Sequence, residues 1–360
     1  MPEMTRAQRN ARKSHYGLRL LAGLFVACTI AYVLFGPKPT RSQGPKPEAS
    51  FAEYTVKLST PLSVSAAGMI IAACDGLFAQ AGLRVRLVAG LDDDDAIAAV
   101  VADENTIGIA STAGFLKARS GGLPIVAFAG FYAVNPAEFY ALPETKLLTP
   151  LDLEGKRIGY NPNPEFTAIL SDFVSRNSLA QSKLLLLESN TPLQDLLDRK
   201  IDVLLGRHDV DGLELERLNV ENKILRPEAF GVHAPGPIFF AQERTLAQPN
   251  RLEKFLMAIA GGWSAAYADL DRTIPIIANS VGTPLPFSLV ARLMDSQRSL
   301  LRPFGARFGE MDSTRIRTLQ SQLSQRRAIQ QPIDLTRAFN YNILKETYRN
   351  EATNLSRVEP

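Results

Sequence analysis

From residue 54 onward, short apolar runs alternate with amphipathic stretches, and this succession limits the fold more than any other feature of the chain. YTVKL at 54–58 and LRVRLV at 83–88 alternate in the manner of strands. TIGIA at 106–110 reads as a buried strand and IVAFAGF at 125–131 as another. Helical patterns fill the gaps at 65–80, 92–102 and 112–120. The first is predicted to stop near Gly82, and the second begins on acids that suit the positive end of a helix dipole. This β-α-β-α-β order predicts an α/β domain with a largely parallel sheet.

A second unit of similar layout starts near Thr149. Strands are predicted at 155–160, 184–188 and 201–205, with shorter ones at 224–225 and 238–241; helices are predicted at 163–177 and 192–199. After Pro249 the chain reads as almost wholly helical, at 251–269, 273–279, 286–300 and 313–325.

The N-terminus has a different character. Residues 20–35, LLAGLFVACTIAYVLF, hold no charge, and with residues 17–19 they approach the length that spans a bilayer. Arg6, Arg9, Arg12, Lys13 and Arg19 all precede this run, against the single acid Glu3. The positive-inside rule then puts the N-terminus in the cytoplasm and the rest outside. GPKPTRSQGPKPEAS follows and reads as a linker. An uncleaved signal anchor is the expected reading; a cleaved signal peptide and a lipoprotein acylated at Cys28 are the alternatives.

Composition removes several function classes. The net charge of +3 comes from the first twenty residues, so the remainder is near neutral and offers no basic stripe for nucleic acid. Cys74 is the only thiol outside the apolar run, which leaves no disulfide framework and no cysteine-based zinc site. His15, His208 and His233 do not form a metal-ligand cluster, so neither a metal nor a cofactor is expected. No nucleophile elbow, phosphate-loop lysine, HExxH or GxGxxG is present, and the chain is not predicted to be an enzyme.

Several segments, in order, resemble a known family. ACDGLFAQAGLRV at 73–85 is similar to its opening "G-L-F-x-x-x-G-L-x-V". IGIAST at 107–112, GGLPIVA at 121–127, TPLDLEGKRIG at 149–159 and IDV at 201–203 resemble its later motifs, with Lys200 where glycine is usual. The family is that of ABC-transporter substrate-binding proteins for nitrate, sulfonates, taurine and thiamine pyrimidine precursors. The resemblance runs from about 54 to 271. It departs at Asn105, commonly aspartate, and at Arg207-His208-Asp209, where small, aromatic or proline residues are common. A synthase in the thiamine-pyrimidine branch uses a histidine and a cysteine-rich motif that has no match here.

The resemblance implies a two-lobed α/β fold of the periplasmic-binding-protein type II class, and the charge and length of the N-terminal run set it behind a transmembrane helix. The expected division is a cytoplasmic basic tail at 1–17, an anchor at 18–35 and a linker at 36–52. Residues 53–145 and 240–345 would form the first lobe, 146–239 the second, and 346–360 a loose end. Crossovers are expected near 143–150 and 234–241. The implied function is capture of a small polar solute by hinge closure, as a monomer, for delivery to an ABC permease, with no nucleic-acid partner. The alternative is a membrane-tethered sensor on the same fold.

The solute would lie where strands end and helices begin. In the first lobe this points to Thr60, Ser63, Ser65, Asp92, Ser111 and Thr112. In the second it points to Asn161, Asn163, Glu165, Phe166, Thr167, Arg207 and Asp209. Each has a plainer reading too. The serines can simply cap helices, the acids at 92–95 can be a solvated helix start, and Arg207 can pair with Asp209. His208 and Trp263 are expected to be structural.

Overall fold

The computed structural model describes residues 51–282, 284–301 and 307–355. The expected basic tail, anchor and Cys28, and residues 36–50 of the expected linker, lie outside these, while Ala52 at the linker's expected end already opens a strand. Among the described residues no helix is long and apolar enough to cross a membrane.

Among the described residues ten strands form two five-stranded sheets. They are β1 (Ala52–Lys57), β2 (Leu83–Val88), β3 (Thr106–Ala110), β4 (Ile125–Gly130), β5 (Ala137–Ala141), β6 (Arg157–Tyr160), β7 (Leu185–Glu188), β8 (Val203–Arg207), β9 (Lys223–Leu225) and β10 (Ile238–Gln242). The first sheet runs β2-β1-β3-β10-β4 and the second β7-β6-β8-β5-β9. In each, three parallel strands are followed by an antiparallel one, β10 or β5, that arrives from the other half of the chain. β3, β4 and β10 are buried along their whole length, as expected of strands covered on both faces.

Apolar cores line these sheets. One gathers Val56, Ile109 and Phe239 with Phe255, Trp263, Leu293 and Met294 of the C-terminal helices. A second holds Phe115, Phe240, Leu319 and Phe339, and a third holds Phe139, Phe166, Phe173 and Leu205. The C-terminal helices therefore complete the first lobe. The helix Ala67–Cys74 lies so close to Pro249–Ala268 that a Cβ on Gly262 would fall 2.0 Å from the Gly68 carbonyl oxygen. Only glycine allows that approach.

Three expectations need correction. The first crossover comes at 131–136, not 143–150, because Ala137–Ala141 pairs with β8 and β9 in the second sheet. The first lobe's leading segment thus ends before residue 137, and its closing segment begins with β10 at Ile238. The single helix expected at 65–80 is broken, because Gly76 takes a left-handed φ of +69° between Ala67–Cys74 and Leu77–Gln80. Residues 346–355 are not loose. They continue the helix Tyr341–Leu355, anchored by Ile343, Leu344 and Thr347 in the core and by the Tyr348 hydroxyl on the Phe308 carbonyl at 2.6 Å. The strand expected at 184–188 is present as β7, which is the sheet's edge and leaves Leu185, Leu186 and Leu187 exposed.

The two crossovers run side by side. Phe131 N–H donates to the Pro237 carbonyl at 2.7 Å, and Asn135 Nδ2 donates to the Pro235 carbonyl at 2.9 Å. A side chain at Gly236 would strike the Tyr132 carbonyl at 2.3 Å, so glycine lets the two segments touch.

Candidate functional site

The carboxyl ends of β1 and β3 face those of β6 and β8 across the crossovers, and polar side chains from both lobes meet there. Ser63 caps the turn Val64–Ala66, accepting from Ser65 N–H at 3.3 Å, and the two serine hydroxyls are 2.9 Å apart. Ser111 follows β3 and caps the helix Thr112–Ser120 by accepting from Gly114 N–H at 3.0 Å. Its own N–H donates to Asp93 Oδ1 at 2.9 Å, and its hydroxyl donates to the other carboxylate oxygen. The Thr112 hydroxyl donates to the Gly236 carbonyl at 2.7 Å, tying this helix to the second crossover.

The acids at 92–95 divide their labour as a helix start must. Asp92 is exposed and caps the helix Asp93–Ala102 by accepting from Asp95 N–H at 2.9 Å. Asp93 turns inward, Asp94 stays exposed, and Asp95 pairs with Lys57 at 2.8 Å. Asp92 thus has a capping role and no inward contact. Asp92→Ala should lower the unfolding free energy by about 1 kcal/mol, the usual value of such a cap. Urea denaturation checks this, and a loss several times larger would mean that Asp92 does more than cap.

In the second lobe, Asn163 caps the helix Pro164–Arg176 through Phe166 N–H at 2.8 Å. Asn161 contributes its carbonyl to the turn, accepting from Asn163 N–H at 2.8 Å. The Thr167 hydroxyl donates to the Asn163 carbonyl, and the Thr167 carbonyl accepts from Arg326 of the first lobe at 3.0 Å. Phe166 is not at the seam; it is buried in the second lobe's core. Thr60 is half-buried, and its carbonyl accepts from Gly90 N–H at 3.0 Å.

Arg207 is the centre of the charge arrangement. Its guanidinium donates to both oxygens of Asp209, each at 2.9 Å, the bidentate geometry that makes such pairs strong. Its Nη1 lies 3.6 Å from Glu165 Oε2, and its backbone N–H donates to Asp211 at 2.7 Å. Only 13% of the Arg207 side chain and 1% of the Asp209 side chain are exposed. Glu165 Oε1 accepts from Asn135 Nδ2 at 2.8 Å. Burial pushes the Glu165 carboxyl up to about 7; Arg207 opposes this, and Asp93 across the seam adds to it. Burial likewise pushes Asp211 up to about 6. Burial disfavours the Arg207 charge, but Asp209 and Glu165 more than offset it and raise its pKa.

A second polar contact crosses the seam. His208 Nδ1 lies 3.2 Å from Glu138, and Nε2 lies 2.7 Å from the hydroxyl of Ser296 on the first-lobe helix Phe287–Leu301. Burial works against a charged His208, yet Glu138 beside it prevails and raises its pKa. Arg292 with Glu216 at 3.0 Å and Arg315 with Glu228 at 2.9 Å also bridge the lobes. The lobes are closed on each other along this seam.

Sequence reading missed Tyr132, Asn135, Glu138, Asp211 and Ser296. A usable signal did exist for the second of these: the Asn135-Pro136 step interrupts two apolar strand-like runs, which marks a chain leaving one sheet for another. Two grooves lie elsewhere. One of about 640 Å³ is lined by Val126, Arg317 and Phe339, and one of about 320 Å³ by Asp172, Arg176 and Arg315. Neither includes a predicted site residue. Among the described residues no group of three or more His, Cys, Asp or Glu side chains is arranged to hold a metal ion.

Known proteins resemble this arrangement. A family profile described as "NMT1/THI5 like" matches residues 63–272, more than half the chain. The riboflavin-binding protein RibY of Chloroflexus aurantiacus is 24% identical over 245 residues, covering 66% of this chain and 69% of that one. The alkanesulfonate-binding protein SsuA from Xanthomonas axonopodis pv. citri, solved with MOPS bound, superposes with a TM-score of 0.63 at 16% identity, covering 81% of this chain and 98% of its own. The desulfurization enzyme DszB superposes with a TM-score of 0.57 at 13% identity, covering 83% and 99%. At such identities the two solved structures establish the fold alone, and one fold serves both binding and catalysis.

Proposed function

We propose, starting from the fact that this chain belongs to the NMT1/THI5-like family, that it is the extracytoplasmic solute-binding component of an ABC importer. The observation that carries this reading is the seam itself. Two α/β lobes joined by paired crossovers meet through the polar ends of their strands, at Ser63, Ser111, Glu165 and Arg207. Such a joint opens and closes by rotation about the two connecting segments. Closure around a small solute then offers a permease a surface that exists only in the loaded state.

The rest of the proposal follows from the sequence. The apolar run at 20–35, with its basic flank, would hold the folded part at the outer face of the cytoplasmic membrane. The protein would act as a monomer without a cofactor. Binding at the seam would stabilise the folded state by mass action, about 2.7 kcal/mol at one hundred times the dissociation constant. A thermal-unfolding panel of sulfonates, nitrate, pyrimidines, riboflavin, amines and aromatic acids should therefore contain at least one compound that raises Tm by several degrees. A flat response across that panel would count against solute capture.

A further inference from the structure

The seam carries an imbalance of charge that points to the kind of solute it takes. Four carboxyl groups, Asp93, Glu165, Asp209 and Asp211, surround one guanidinium, Arg207, with the His208 ring near Asp209 as the other basic group. The guanidinium is already committed, because both oxygens of Asp209 accept from it. It is therefore not free to clamp a sulfonate or a nitrate. An anionic solute would enter a site lined by acids and shielded from water, where like charges repel more strongly than in solution.

A second observation is independent of the acids. Tyr132 lies on the first crossover and is only 2% exposed, and its hydroxyl has no hydrogen-bond partner. The neighbouring Ser65 hydroxyl is engaged with Ser63 at 2.9 Å and does not reach hydrogen-bond geometry with the tyrosine. Asp209 and Arg207 are near enough to act on the same phenol. A buried hydroxyl without a partner costs about 1–3 kcal/mol, so its persistence at a closing seam calls for a ligand atom. Glu165 points the same way. One oxygen holds Asn135 at 2.8 Å, while the other has only the longer 3.6 Å approach of Arg207.

We infer that the solute presents a positively charged organic group, an ammonium, amidinium or guanidinium, to Glu165, Asp209 and the Tyr132 hydroxyl. An organic cation fits better than a metal ion, since these carboxylates do not converge as a ligand set. The proton-bearing edge of such a group supplies donors to the free Glu165 oxygen and to the phenol oxygen, and its charge offsets the acid excess. This inference rests on the solute-binding reading above.

The test uses isothermal titration of the purified protein with agmatine, putrescine and benzamidine as cations. Methanesulfonate, taurine, nitrate and riboflavin are the other arm. Native mass spectrometry of the protein as purified is run alongside. Expected is binding by a cation that weakens about 10-fold or more in Glu165→Gln, the loss of one charge-assisted hydrogen bond. Tyr132→Phe should weaken the same cation several-fold. The two variants keep the shape of the wild-type side chains, and their unfolding curves show whether each is folded. If only a compound of the second arm binds, the cation assignment is overturned and solute capture stands. If a cation binds equally well to both variants, the assignment to this site is overturned. If nothing binds and no small molecule accompanies the purified protein, both readings fall.

Discussion

Replacing Arg207 with leucine should lower the unfolding free energy at neutral pH by about 3–5 kcal/mol, the usual consequence of leaving a buried ion-pair partner alone. Asp209 would lose both of its guanidinium hydrogen bonds while its side chain stays almost fully buried. Asp93, Glu165 and Asp211 would then face it with no guanidinium among them and only the His208 ring nearby. Arg207→Lys should recover only part of the loss, because an ammonium cannot bond both oxygens of Asp209 in one plane. Urea unfolding at pH 7.5 and at pH 5 checks the argument. The cost should shrink at the lower pH, where protonation of Glu165 and Asp211 relieves the repulsion. A loss below about 1 kcal/mol at pH 7.5 would mean that the guanidinium is not what holds these acids together.

Arg207 also shows how far the sequence could be read. Its place after an IDVLLG strand located it at a strand end, and the adjacent Asp209 made pairing an obvious possibility. The caps at Ser63 and Ser111 were legible for the same reason, since a cap is a local event between residues two or three apart. The direction each carboxylate takes was not local. Asp92 and Asp93 are neighbours of one chemistry, yet one caps in solvent and the other reaches Ser111, eighteen positions on. AEFYA at 137–141 is an apolar run that would suit either sheet. Only its pairing with β8 and β9 decides, and that pairing belongs to tertiary structure. LLLL at 184–187 was legible as a strand but not as the exposed edge, because hydrophobicity does not record which strand is last in a sheet. The helix break at Gly76 was visible as a glycine, but its left-handed φ was not.

Glu165 leads to the second large effect, a stability that falls as pH rises. Its carboxyl stands at about 7 in the folded protein against an ordinary 4.5. Between those values the folded chain keeps a proton that the unfolded chain has released. Where the native state binds more protons than the unfolded state, stability declines with increasing pH. A shift of this size corresponds to about 3 kcal/mol, present in full near pH 4.5 and gone above about pH 7. The groups responsible face Glu165 from three elements. Asp93 lies on the helix Asp93–Ala102, Arg207 and Asp209 lie at the end of β8, and Asn135 lies on the first crossover. Arg315 and Arg326 of the neighbouring first-lobe helix are engaged elsewhere, with Glu228 and the Thr167 carbonyl. His208 adds a slope of the same sign, since its raised pKa is a stabilisation lost as pH climbs through it. Glu165→Gln separates the two. The amide cannot ionise, so the difference in unfolding free energy between variant and wild type should grow in the variant's favour from pH 4.5 to 8. A difference that stays flat across that range would show that Glu165 is ionised throughout, and the repulsion from Asp93 across the closed seam would have to be abandoned.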